Sequence, residues 1–86
     1  MLNYKYVKEA FMNNKLTPFT YKLVIYLLSI TDKEYRIKGM LQKDIADDME
    51  VGYSTVSYGF KKCISENIII KDGRDYYFNE QLFEQE

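Results

Sequence analysis

Apolar positions recur with a helical period through most of this 86-residue chain and switch to alternation near its end. Tyr4, Val7, Phe11 and Met12 suit a short helix closing near Asn13 and Asn14, although "LNYKYV" also alternates like a strand. In "LTPFTYKLVIYLLSIT" Thr17 is a natural N-cap, and Pro18 takes the first helical position, where its missing N–H is no loss. Phe19, Leu23, Tyr26, Leu27 and Ile30 then form one stripe. Val24, Ile25 and Leu28 add apolar surface on most other sides. Such a helix is either central or covered by a partner.

The segment "EYRIKG" (34–39) alternates around a β-branched centre and predicts a short strand. "LQKDIADDM" (41–49) predicts an amphipathic helix with Leu41, Ile45 and Met49 inward and Ala46 small enough for a crossing helix. A tight "EVG" (50–52) separates it from a second helix with the stripe Val56, Phe60, Cys63 and Ile64. Asn67, tolerant of the left-handed conformation, suits that helix's end. "IIIKDGRDYYF" (68–78) reads as a β-hairpin about Asp72-Gly73, a type I′ composition, with Lys71 and Arg74 on either side of the turn. The polar "NEQLFEQE" closes the chain with room for one more turn through Leu82 and Phe83.

Composition removes several classes of function. One domain is expected, small enough that pairing with a second copy would supplement its core. The apolar run Leu23 to Leu28 is too short to span a bilayer and no N-terminal signal pattern precedes it, so the expected location is cytoplasmic. Cys63 is the single cysteine and histidine is absent, which excludes Ser-His and Cys-His nucleophiles and His- or Cys-built zinc sites. No glycine-rich phosphate loop is present either. Neither an enzyme nor a bound cofactor is expected.

The net charge of −1 hides an asymmetry. Residues 1–38 carry seven basic and three acidic residues, a net of +4; residues 39–86 carry five and ten, a net of −5. A positive surface therefore requires a fold that gathers selected cations. Asp44, Asp47, Asp48 and Glu50 would repel a phosphate backbone, and they lack the calcium-loop pattern.

The order helix, helix, strand, helix, turn, helix, hairpin is that of a mainly α fold with a β-hairpin wing. "LQKDIADDMEVGYSTVSYGFKKCISENIII", with its Ile45-Ala46, Met49, Val51 and Val56 spacing, resembles the winged helix-turn-helix superfamily. "KLTPFTYKLVIYLLSIT" resembles the first helix of small winged-helix domains in plasmid and phage replication, partition and regulatory proteins. The resemblance covers about residues 15 to 78. Two positions depart from the family pattern: Glu50 replaces the usual turn glycine, and Gly52 replaces the usual Ser or Thr N-cap.

The resemblance implies that Gly52, Tyr53, Ser54, Ser57, Tyr58 and Lys61 face DNA. This helix has no Arg, Asn or Gln for bidentate base readout, but its N-terminus, from Gly52 to Thr55, suits phosphate. Lys61 and Lys62 extend a positive edge, Lys71 and Arg74 arm the hairpin, and Lys38 and Lys43 add backbone contacts. The expected function is double-stranded DNA binding by a dimer, as a transcriptional repressor or a plasmid or phage partition adaptor.

The chain also resembles the TubR-like adaptors of tubulin-type partition systems. In that family paired recognition helices enter the major groove and the DNA-bound array recruits a filament-forming tubulin-like GTPase. Gly59, in a helix interior where glycine costs about 1 kcal/mol relative to alanine, suggests close approach by another backbone or a large ring. With Tyr53 and Tyr58 it is expected to be exposed. Tyr58, Gly59, Val24 and Leu28 are the expected dimer surface. The alternative is a protein-interaction module that uses Tyr53, Tyr58 and Gly59 and does not bind DNA. The bland reading of Gly59 is that it merely lets Phe60 pack.

Overall fold

In a computed structural model, residues 3–12, 16–37 and 42–83 are described. Helix α1 (Tyr4–Val7) widens into a π-helical turn at Lys8–Met12, and α2 (Pro18–Ser29) follows. Strand β1 (Arg36–Ile37) leads to α3 (Gln42–Met49) and α4 (Tyr53–Ser65). Strands β2 (Ile69–Asp72) and β3 (Asp75–Phe78) precede a 3₁₀ turn at Glu80–Leu82. The architecture is α+β: four helices against a three-stranded antiparallel sheet of order β1-β3-β2. No helix among the described residues is long and apolar enough to cross a membrane.

Local signals set the helix ends as expected. Thr17 caps α2, its Oγ1 accepting from the Thr20 N–H at 3.3 Å, with Pro18 first in the helix. Helix α3 ends in a Schellman pair. Val51 N–H donates to the Ala46 carbonyl at 3.0 Å and Glu50 N–H to Asp47 at 3.2 Å, with Glu50 at φ 58°. The end of α4 repeats the motif. Ile68 N–H donates to Cys63 at 2.9 Å and Asn67 N–H to Ile64 at 3.1 Å, with Asn67 at φ 59°. The left-handed conformation costs a non-glycine residue roughly 1–2 kcal/mol, and glycine's extra entropy returns about 0.5–1 kcal/mol of that. Glu50→Gly should therefore raise the unfolding free energy by about 0.5–1 kcal/mol in urea denaturation.

The core joins all layers. Leu23 and Leu27 of α2, Ile45 of α3, Val56, Phe60 and Cys63 of α4, and Ile68, Ile69 and Phe78 around the sheet are buried. Ala46 is buried as well, where α3 packs on α4. Burial pushes the Cys63 thiol up to about 12. Its contribution to stability is present below the ordinary thiol value of 9.0 and is lost as pH rises from there toward 12. In native protein at pH 8 the thiol should resist a disulfide reagent; in denaturant it should react at once. Rapid native labelling would contradict this packing.

Several expectations need correction. The first helix is α-helical only over Tyr4–Val7, and Met12 is 75 % exposed instead of inward. The wide π turn directs Ala10 and Phe11 toward the body, where Tyr21 OH donates to the Phe11 carbonyl at 2.8 Å. Helix α2 is not surrounded: Leu23, Val24 and Leu27 are buried, but Ile25 is 69 % exposed.

The hairpin turn is one residue later than expected. Asp72 pairs with Asp75, so Gly73 and Arg74 form the loop, with Gly73 at φ +62° in the position that a type II′ turn reserves for glycine. The register is set by burial, since it places Ile69 opposite Phe78, the two most buried side chains of the strands. Of the predicted strand over 34–39, residues 34–37 are described: Arg36–Ile37 is strand, but Glu34 and Tyr35 stand in the turn before it, Tyr35 with the left-handed φ of 65° that extended pairing excludes. Lys38, Leu41 and the helix end at Asn13 and Asn14 lie outside the described residues.

Candidate nucleic-acid interface

The N-terminal ends of α3 and α4 and the β2–β3 hairpin surround one open cleft of about 670 Å³. Lys43 enters it from α3, Tyr53 from α4, and Lys71 and Arg74 from the hairpin. The observed register makes this possible. It sets Lys71 opposite Tyr76, with the ammonium 5.9 Å from the ring centroid, on the face where Tyr76 meets Phe60 at 4.9 Å. Gln42 Nε2 donates to Tyr76 OH at 3.3 Å, which ties the start of α3 to the same ring. The turn shift places Arg74 in the loop itself.

The cleft's charge is unbalanced. Lys43, Lys71 and Arg74 make no ion pair among the described residues, and Asp75 is the one carboxylate in the lining. Asp72 and Asp75 face each other across the last hairpin pair, a like-charge arrangement that the nearby cations partly offset. Of the cations elsewhere, Arg36 pairs with Asp32 at 3.4 Å and Lys62 with Glu66 at 3.3 Å, while Lys5, Lys8, Lys22, Lys33 and Lys61 make no ion pair among the described residues.

Gly52 is the N-cap of α4 and offers no side-chain bond; its carbonyl accepts from Thr55 at 3.1 Å and Val56 at 3.4 Å. The N–H groups of Tyr53 and Ser54 have no partner in the described chain, so the start of α4 presents free donors beside the cleft. Tyr53, Ser54 and Thr55 are exposed and Ser57 is half-buried. Tyr58, 57 % exposed, and Lys61 continue the outer face of α4 away from the cleft. The structure thus brings together Lys43, Tyr53, Lys71 and Arg74 of the expected contacts and sets Gly52, Ser54 and Thr55 next to them. It separates Lys61 and Lys62, and Lys62 is occupied by Glu66. Gln42 and Tyr76 join the site without having been expected; their sequence signal depends on the hairpin register.

The acidic residues of α3 lie elsewhere. Asp44 and Asp47 are exposed and outside the cleft lining, while Asp48 accepts from Tyr26 OH at 2.6 Å. That hydrogen bond is the main reason the Tyr26 hydroxyl is pushed up to about 12, with burial and the carboxylate's charge adding to it. No group of three metal-ligating side chains occurs among the described residues.

Gly59 is buried, contrary to the exposed position expected for it. A Cβ there would lie 2.7 Å from Leu23 Cδ2 and 3.4 Å from Phe19 Cε2. The close approach comes from α2 of the same chain, so Gly59 has no free surface for a partner. Val24 is also buried, at 5 %, while Leu28 is half-buried and Tyr58 remains open. No family model, curated protein or solved structure matches the chain.

Proposed function

We propose that the chain is a winged helix-turn-helix protein that binds double-stranded DNA through the start of α4 and the β2–β3 wing. The carrying observation is the convergence on one cleft of three cations, Lys43, Lys71 and Arg74, with a single carboxylate beside them among the described lining residues, in a protein whose net charge is −1. The element order and the β1-β3-β2 sheet fit the same reading. Phosphates occupy the cleft rim and the free N–H groups of Tyr53 and Ser54, while Arg74 at the wing tip is available to a narrow minor groove. Selectivity arises from DNA shape and repeated sites, because α4 carries no bidentate base reader. Within this class the resemblance points to a repressor or a plasmid or phage partition adaptor acting as a dimer.

The competing protein-interaction module loses support, since Gly59 belongs to the interior and Tyr53 to the cleft. A mobility-shift assay on mixed-sequence duplex DNA tests the reading at ~50 mM salt, where electrostatic affinity is near its greatest. Retardation that weakens steeply as salt rises is expected; unshifted DNA would sink the proposal.

A further inference from the structure

Tyr76 is the residue on which the three parts of the cleft converge. Its ring meets Phe60 of α4 at a centroid distance of 4.9 Å, and the Lys71 ammonium on the opposite strand stands 5.9 Å from the same centroid. Its hydroxyl accepts from Nε2 of Gln42, the first residue of α3, at 3.3 Å. Phe60 is buried, so the Tyr76 ring rests on the closed core while the residue lines the cleft. A phenol oxygen carries a proton as well as its lone pairs. Gln42 takes a lone pair, and no acceptor among the described residues takes the proton. The fold thus holds a hydrogen-bond donor in a fixed place beside the Lys71 ammonium.

On the reading that duplex DNA lies in this cleft, we infer that the Tyr76 hydroxyl is a direct phosphate ligand, donating its proton to a backbone oxygen whose charge Lys71 neutralises. Tyrosine hydroxyls are among the side-chain groups that bond phosphate oxygens. The contact with Gln42 improves the donor, because a hydroxyl that accepts a hydrogen bond is polarised toward giving one. It also orients the donor: the Gln42 N–H repels the phenol proton from its own side of the oxygen. Gln42 is then a positioning residue, and Tyr76 is the one that touches DNA. This contact differs from those of the cations in one measurable respect. A neutral hydroxyl displaces no counterion, so it adds affinity without adding to the salt dependence.

Fluorescence anisotropy of a labelled mixed-sequence duplex, repeated over a series of salt concentrations, separates the two kinds of contact. Tyr76→Phe keeps the ring and with it the contacts to Phe60 and Lys71. Its affinity should fall roughly tenfold at every salt concentration, the scale of a hydrogen bond to a charged group, with the slope of log affinity against log salt unchanged. Gln42→Leu should weaken binding by about threefold, as for one neutral hydrogen bond, and should cost nothing further when added to Tyr76→Phe. Unchanged affinity in Tyr76→Phe, beside a wild type that binds with a steep salt slope, would overturn the inference and leave DNA binding standing. A Tyr76→Phe slope shallower by about one would overturn it too, since Tyr76 would then act only by placing Lys71. A wild type that leaves the duplex unbound at ~50 mM salt would overturn both.

Discussion

Replacing Lys43, Lys71 and Arg74 together with glutamate is expected to abolish duplex binding while the protein remains folded. The three positions are exposed and make no ion pair among the described residues, so their removal breaks no buried contact. The largest structural loss is the Lys71–Tyr76 cation–π contact, worth about 0.5–1 kcal/mol at an exposed site. Binding loses far more. Each phosphate-neutralising cation contributes about 0.9 to the slope of log affinity against log salt, and three reversed charges convert attraction into repulsion. Single alanine variants should each make the slope shallower by about one and weaken binding to all sequences alike. Lys62→Ala is the informative control: its ammonium already pairs with Glu66, and its loss should change the slope little.

The second large effect concerns folding. Gly59→Leu should destabilise the protein by about 3 kcal/mol, the upper part of the range for overpacking a core. Even the Cβ would come within 2.7 Å of Leu23 Cδ2, and Leu23 is fully buried, so a leucine side chain would have to displace Leu23 and Phe19 within a filled interior. For a domain whose whole stability is on the order of 5–15 kcal/mol this is a severe loss, visible as a fall of more than ~10 °C in melting temperature. Gly59→Ala should cost about 1 kcal/mol, because alanine's helix propensity returns part of the clash energy. Unchanged stability in Gly59→Leu, with altered self-association, would place the glycine at an interface between copies and refute the packing described above.

What the sequence made legible follows the range of the interactions involved. The Thr17-Pro18 helix start and the left-handed end at Asn67 were readable because caps and Schellman turns involve only neighbouring residues, whereas Glu50 stood out only as a departure from the usual turn glycine and proved to take the same left-handed conformation. The hairpin existed where expected, but its register did not. Asp72-Gly73 and Gly73-Arg74 both meet the turn's local demands, and only the burial of Ile69 against Phe78, across the sheet, separates them.

Gly59 shows the same limit. A glycine in a helix announces a close approach but does not identify the neighbour, which proved to be Phe19 and Leu23, far away in sequence. In the candidate site, Lys43, Lys71 and Arg74 were accessible through the family resemblance. Gln42 and Tyr76 required the register, because a turn at Asp72-Gly73 would have set Lys71 opposite Arg74. The pairing of Lys62 with Glu66 is legible as an i,i+4 spacing, and it marks Lys62 as a poor phosphate ligand.

Nucleic acid is proposed to occupy the cleft between the start of α4 and the wing. Titrating isotope-labelled protein with a short duplex and following backbone amide shifts by NMR tests it most directly. Shifts should concentrate at Lys43, Gly52 to Thr55 and Lys71 to Arg74 and fade as salt is raised, with Ile25 unperturbed. Shifts confined to Tyr58 and the far end of α4, or no shifts at low salt, would contradict it.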